Sequence, residues 1–470
     1  MAANAPSEPA ADADARPAAP AGMAPLARRL GELLGEAPLG EPRQLSSGAS
    51  RTTYSFNTAA RGPLVLQIAG ANAPDRALLS QADLLAAAAQ AGVPVAGVVA
   101  HGPCDDVLGG EWIVMQAIDG TSDPKRILSG QGVPDAGELL DSIAAALAAV
   151  HRMPTDEALA PAVDAPLAQL RATYDRLGQP HPVFELAFAE LGRDRAPAQR
   201  AFVHGDFRMG NLLVATHGVS AVLDWELCHV GDPVEDLGWL CVPAWRFDRR
   251  DRPAAGLGTR EQLRAAYERH AGREVDAAEL SRWELAGTLR WGVICVMQAF
   301  RHLSGAQRSV ELAVIGRRAC EVEWDLLELL DPRPAHEAQH AAEHDAQTTP
   351  QTASLHDRPT ASELLDAARG ALAGTVLPHL SGRAAFELRV AMRAIAMVGR
   401  ELASAGEHAA VRARALARVG AGDEEHLCAL IRDGALEGRR EQLCESLREL
   451  VRAKLEVANS RYLHGGGTRS

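Results

Sequence analysis

Between two apolar runs the chain reads FVHGDFRMGNLLV, residues Phe202–Val214. His204, Gly205, Asp206, Arg208 and Asn211 crowd into that one turn, and a plain connection between strands rarely needs all five types. Asn211 follows Asp206 by five residues, and Asp224 follows Asn211 by thirteen, at the end of the apolar run AVLD. Glu226 stands two residues further on. Oxygen donors of this kind suit Mg2+, which takes few protein carboxylates and completes its shell with phosphate oxygens and water. An aspartate outside the metal set can accept the proton of an alcohol. A metal to neutralise phosphate and a base to orient a hydroxyl are the two needs of phosphoryl transfer. Glycoside cleavage needs only two carboxylates at a set separation, which leaves Asn211 without a purpose.

For these groups to meet, the chain must fold back after Asn211. A hairpin of Leu212–Val214 against Ala221–Leu223, turning at Thr216–Gly218, does this. If SAVLDWE (Ser220–Glu226) continues as a strand, alternation puts Glu226 on the same face as Asp224. Upstream, TTYSF (Thr52–Phe56), LVLQIA (Leu64–Ala69) and EWIVMQAI (Glu111–Ile118) are β-prone runs. A helix over Ala77–Ala91 is closed by Gly92 and Pro94. The pattern turns helical from about 120, with expected helices at Glu138–His151, Glu261–His270, Ala278–Phe300 and Val310–Leu330.

The expected organisation is a disordered tail over 1–24, a small lobe over 25–115, a helical region with the catalytic turn over 116–330, a linker over 331–357, an all-α domain over 358–464 and a flexible tail over 465–470. The first twenty residues are an Ala/Pro/acid stretch without the basic and apolar segments of a signal peptide. The linker is rich in Pro, Gln, Ala and Thr, and His336, His340, His344 and His356 lie in it, more simply solvated than metal-binding. TASE (Thr360–Glu363) fits a capping box, and Leu443, Leu447, Leu450 and Leu455 form one face of a last helix.

The net charge of −13 argues against nucleic-acid binding through a general basic field, and no apolar run is long enough to span a membrane. Seven scattered cysteines with no CxxC pair read as reduced thiols of a cytoplasmic protein. Only Lys125 and Lys454 are lysines, so arginine carries nearly all the positive charge.

On HGDFRMGN and LDWE the sequence resembles the aminoglycoside phosphotransferase-like superfamily, relatives of the protein kinases. VLDWELCHVGDPVEDLGWLCVPAWRF looks closer to the bacterial branch related to the kinase-like domain of acyl-CoA dehydrogenase fusion proteins. The resemblance covers roughly residues 40–330, and 358–464 look like the uncharacterised helical domain often appended to that branch. It implies an α+β, bilobal protein-kinase-like fold followed by an all-α helical domain. Asp206 would then be the catalytic base, Asn211 and Asp224 the Mg2+ ligands, and Glu226 a further carboxylate at the metal. Gly48 and Ser50, in SGASRTTYSF (Ser47–Phe56), would lie in the loop over the ATP phosphates, and Met115–Ala117 (Met115 and Ala117 at its ends) would be the hinge at adenine. Arg208 is open between a phosphate or substrate contact and a salt bridge; His204 reads as a brace for the loop, Asp232 and Asp236 as helix-capping or loop-bracing groups, His151 as a packed histidine, and Trp225, Trp239 and Trp245 as core.

The sequence departs from the resemblance at one pair. Kinase-like folds place a cation on the strand after the phosphate loop and pair it with a glutamate on the next helix. Here those positions hold Gln67 and Gln81, and neither lysine can substitute. Two amides can bond each other, and the expectation is that they face one another beside the phosphates. Either Arg51 takes over the charge, or catalysis is weak, or the protein is a non-catalytic nucleotide-binding or scaffolding relative. The expected function is ATP- and Mg2+-dependent phosphorylation of a hydroxyl on a small molecule. By resemblance the acceptor is a hydroxyacyl-CoA-type metabolite, with an aminoglycoside the lesser alternative. Residues 358–464 offer a surface for a homo-oligomer or a docking partner.

Overall fold

Alternation of buried and open positions makes the first sheet. In β2 (Arg51–Thr58) Tyr54, Phe56 and Thr58 are buried, and in β3 (Gly62–Ala69) Leu64, Leu66 and Ile68 are buried. That face is covered by α1 (Met23–Leu34), through Leu26, Leu30 and Leu34, so helix begins inside the stretch expected to be a disordered tail. The computed structural model describes residues 23–47, 51–70, 77–192, 195, 197, 199–333 and 359–464. With β1 (Arg43–Ser47), β4 (Val98–Asp105) and β5 (Gly110–Gln116), the five strands run in the order β1-β2-β3-β5-β4, with every neighbouring pair antiparallel. The other face receives α2 (Ala77–Gln90), which lies mainly over β4 and β5 and only marginally over β3.

The turn within Phe202–Val214 sits on short strands. β7 (Leu212–Ala215) pairs antiparallel with β8 (Gly218–Val222), Leu212 opposite Val222, as the expected hairpin requires. β6 (Ala201–Val203) pairs with β9 (His229–Gly231) on either side of it. Helix α4 (Ala136–Val150) supports β8: Val219 N–H donates to Ser142 Oγ at 2.9 Å. The chain divides into two compact units, the first comprising residues 1–162, 199–233 and 265–273. All the strands and that turn belong to this unit.

The second unit comprises residues 163–198, 234–264 and 274–470. Its helices are α5 (Pro166–Leu177), α6 (Pro182–Leu191), α7 (Val234–Cys241), α9 (Ala277–Leu303), α10 (Val310–Gly316), α11 (Ala319–Leu330), α12 (Ala361–Ala371), α13 (Gly382–Val419), α14 (Glu424–Arg432) and α15 (Arg440–Asn459), while α8 (Arg260–Ala271) straddles the division. One core runs from Phe184, Leu289 and Leu327 to Leu416, Leu427, Leu443 and Leu455, so the last helices are built into the same core as α6, α9 and α11. The expected helix over Val310–Leu330 breaks into α10 and α11 around Arg317–Arg318. Thr360 and Glu363 form the expected capping box on α12. The four histidines of the linker lie outside the described residues. Among the described residues no helix is long and apolar enough to cross a membrane, and all seven cysteines are free thiols, five of them buried.

Candidate active site

Gly205 allows the turn to close. Its φ is +80°, and a Cβ there would lie 2.2 Å from the Leu227 carbonyl oxygen, so only glycine fits. His204 beside it is fully buried against Trp225 and Phe207. Its Nδ1 accepts the Asp206 N–H at 3.2 Å, and its Nε2 lies 3.0 Å from the Leu223 carbonyl. Since a backbone amide can only donate, Nδ1 carries no proton, and Nε2–H donates to Leu223. His204 therefore ties the turn to the end of β8 as a neutral brace.

The Asp206 carboxylate is mostly buried yet reachable, at 15% side-chain exposure. Asn211 Nδ2 donates to Asp206 Oδ2 at 2.7 Å and to the Asp206 carbonyl at 2.9 Å. Arg208 Nε reaches the two Asp206 oxygens at 3.1 and 3.3 Å. Of the two readings open for Arg208, the structure forms the salt bridge. Asn211 is buried, and its carbonyl accepts the Leu223 N–H at 2.8 Å, which sets Asp224 next to it in the pairing.

Asp224 departs from the expected strand. Its φ is +61°, the left-handed region that a non-glycine residue enters at a cost. β8 has already ended at Val222, and the chain turns through Trp225 and Glu226. Strand alternation therefore does not govern Glu226. Its carboxylate is half exposed and pairs with Arg51, the first residue of β2, at 2.7 Å. Trp225 is buried behind the turn, donating its Nε1–H to the Val222 carbonyl.

Among the described residues, no three His, Cys, Asp or Glu side chains converge as a ready cage. The donor set still fits Mg2+, which needs few protein oxygens when phosphates supply the rest. Asn211 spends its Nδ2 on Asp206 and keeps Oδ1, while the exposed Asp224 carboxylate forms no ion pair with another described residue.

The expected nucleotide contacts are only partly assembled. Gly48 and Ser50 lie outside the described residues. Met115 is buried between Val65 and Val98, and the Ala117 N–H is spent on the Pro63 carbonyl at 3.0 Å, so that amide is not free for a base. Gln67 and Gln81 do not bond each other: both Oε1 atoms are buried and accept nothing, whereas an amide–amide bond must use one of them. The cause is the placement of α2 over β4 and β5 rather than over β3. Outside the site, His151 packs as expected, its Nδ1 2.7 Å from the Tyr267 hydroxyl. Trp239 is core and Trp245 stacks between it and Trp291, and Asp236 is fully buried in the first turn of α7.

The sequence alone gave no sign that Arg51 would meet Glu226, because the pairing depends on Asp224 leaving the strand. A residue of type Asp placed before Trp-Glu, where β8 must stop, is the one signal that could have hinted at it.

An antiparallel five-stranded sheet with one packed helix, followed by a turn on a small hairpin and a helical remainder, is a protein-kinase-like fold. Residues 41–273 match the phosphotransferase enzyme family. Residues 378–462 match a family described only as a domain of unknown function. Neither match bears on the acyl-CoA dehydrogenase branch expected from the sequence. No curated protein matches the chain. Among solved structures it is similar to a Ralstonia eutropha JMP134 protein provisionally assigned as an aminoglycoside phosphotransferase, at 21% identity and a TM-score of 0.50, covering 65% of this chain and 98% of that one. It is also similar to the macrolide 2'-phosphotransferase MphH of Brachybacterium faecium, at 18% identity and a TM-score of 0.43, covering 66% and 98%. The likeness to the Ralstonia eutropha protein speaks for the fold alone.

Proposed function

We propose that the protein transfers the γ-phosphoryl group of ATP, with Mg2+, to a hydroxyl of a small molecule. The observation that carries this is the bonded set Asp206–Asn211 with Asp224 adjoining it, in a segment that matches the phosphotransferase enzyme family. Asp206 accepts the hydroxyl proton as the phosphorus–oxygen bond forms. Asn211 holds one carboxylate oxygen of Asp206, and Arg208 lies alongside, so the base is oriented before the acceptor arrives. Asn211 Oδ1 and the Asp224 carboxylate would hold the cation, which neutralises phosphate charge when bound. His204 fixes the distance between the two halves of the site. No feature of the geometry favours a hydroxyacyl-CoA acceptor over another alcohol, and the acceptor class proposed is a hydroxylated small molecule.

The test is ATP consumption across a panel of alcohols, CoA esters and aminoglycosides, followed by Asp206→Asn on the substrate found. Removal of a general base costs about 10²–10⁴ in turnover, with ATP affinity nearly unchanged because the base meets the acceptor and not the nucleotide. Wild-type turnover by the variant would refute the assignment.

A further inference from the structure

We propose that Arg51 is the cation that meets the nucleotide phosphates here, in place of the one that kinase-like folds carry on β3, and that Glu226 is its counter-ion rather than a metal ligand. This rests on the phosphotransferase reading above and assigns the phosphate-binding charge of that same site.

Thr53 lies opposite Gln67 and Arg51 opposite Ala69 in the β2–β3 ladder. Side chains alternate along a strand, so Arg51, Thr53 and Gln67 share the face away from α1, whose core takes Tyr54, Phe56, Leu64, Leu66 and Ile68. Arg51 is thus the diagonal neighbour of Gln67, about 7 Å away across the ladder, a gap a long side chain bridges. Its guanidinium reaches Glu226, two residues beyond Asp224, so the charge already stands at the metal-binding turn. Arg61, the other arginine of this hairpin, is spent on Glu36 and the Leu34 carbonyl behind the sheet.

The neighbouring amide cannot do the work. Gln67 Oε1 is a buried acceptor without a donor, and an amide cannot neutralise phosphate. The Arg51–Glu226 pair is 23% and 52% exposed, and such pairs are weakly held. Phosphate oxygens offer arginine a planar, bidentate partner of greater charge. With Glu226 on Arg51, Asn211 and Asp224 remain for the metal, a number Mg2+ accepts beside phosphates.

The experiment is calorimetric titration of the full chain with adenosine, ADP and ATP, with and without Mg2+, thermal melts confirming that each variant is folded. Arg51→Met is expected to weaken ADP and ATP about 10-fold or more and leave adenosine unchanged, since a charge-assisted phosphate contact is lost. Adding Gln67→Lys to that variant returns a cation to β3 and recovers most of the loss. Glu226→Gln frees Arg51, keeps the Mg2+ dependence and tightens ATP by roughly two- to fivefold. ATP binding by Arg51→Met at wild-type strength, or loss of Mg2+ dependence in Glu226→Gln, overturns the proposal while leaving the phosphotransferase reading intact. If Arg51→Met does not fold, Arg51→Gln, which has no charge but keeps a polar tip for Glu226, is tested by the same criteria. A wild-type protein that binds no nucleotide overturns that reading and this proposal together.

Discussion

The carboxylates of the candidate site and those of the long helices are treated in opposite ways. Glu185, Glu284 and Glu323 have side-chain exposures of 0–1%, and each is met by two partners. Arg171 and Arg432 hold Glu185, Arg246 and Arg260 hold Glu284, and Lys454 and His181 hold Glu323. In the turn, Asp206 lies beside Arg208 and stays reachable, Asp224 is exposed, and Glu226 meets the half-buried Arg51. A buried charge that is fully paired has nothing left for a ligand, and its loss is paid in stability. A charge held in place but left reachable can be completed by a metal or a substrate. The difference separates groups that hold the chain together from groups that act.

The sharpest break of this comparison comes at Asp224. Asp224→Ala is expected to lower Mg2+-dependent ATP affinity by about 100-fold, since disturbing even the groups behind a metal ligand costs 10–100-fold. Its melting temperature should fall only slightly, because the carboxylate has no ion-pair partner among the described residues while alanine fits the left-handed φ of +61° a little less well than aspartate. Calorimetry and melting of the same preparation decide it. Unchanged affinity with lost stability would place Asp224 with the helical carboxylates.

Lys454 is the opposite case. Its Nζ lies 2.9 and 3.0 Å from the two oxygens of Glu323, whose pKa is held down at about 2 by Lys454 and His181 against the effect of burial. Lys454→Met leaves that carboxylate buried with His181 alone and is expected to cost about 3 kcal/mol. Nucleotide affinity of the folded variant should not move. Denaturant melts measure the first and calorimetry the second, and a variant as stable as wild type would show that His181 suffices.

The same contrast explains what could be read in the sequence. The strands β2, β3 and β5 were legible as β-prone runs, of which β2 packs every second residue on one face while Trp112–Met115 of β5 are buried without a break, and the hairpin was legible because two apolar runs flank a short polar turn. That Asp206, Asn211 and the end of the run before Asp224 come together was legible from spacing alone. Glu226 could not be oriented, since its direction follows from a left-handed Asp224 that alternation cannot anticipate. Gln67 and Gln81 were noticed as a departure, yet they form no direct hydrogen bond, and helix placement over a sheet is set by packing along its whole length. Helix α1 was missed where an Ala/Pro/acid run leads directly into it, and α5 and α6 were not separated from the surrounding helical pattern. Least legible was the shared core of 415–458 with α6, α9 and α11, since Glu185–Arg432 and Glu323–Lys454 join residues far apart in sequence.

Asp325 tests the comparison from within the helical unit. It is buried on α11, where it accepts the Tyr462 hydroxyl at 2.6 Å. Arg250 lies over the Tyr462 ring and donates to the Tyr462 carbonyl. Unlike its neighbours, Asp325 has no direct ion pair among the described residues. Burial raises its pKa from 3.8 to about 7, the Tyr462 hydroxyl, Arg250 and Arg246 pulling it down and Glu321 adding to the rise. The folded state thus keeps a proton that the unfolded chain releases near pH 4. Stability from this group is full below pH 4, falls as pH rises through about 7, and is flat above, because the folded state binds more protons in that window. Glu323 works in the other direction and only below the window, its contribution being lost as pH falls from 4.5 through about 2. Between pH 5 and 8 the slope therefore isolates Asp325 from Glu323. Asp325→Asn keeps an acceptor for Tyr462 and has no proton to lose. Its stability should match wild type near pH 4 and exceed it at pH 8, by roughly 4 kcal/mol for a rise from 3.8 to about 7. Denaturant melts of both proteins at each half unit of pH give the difference curve. A difference that stays constant across the window would mean that Asp325 is ionised in the fold and paired like Glu185, Glu284 and Glu323.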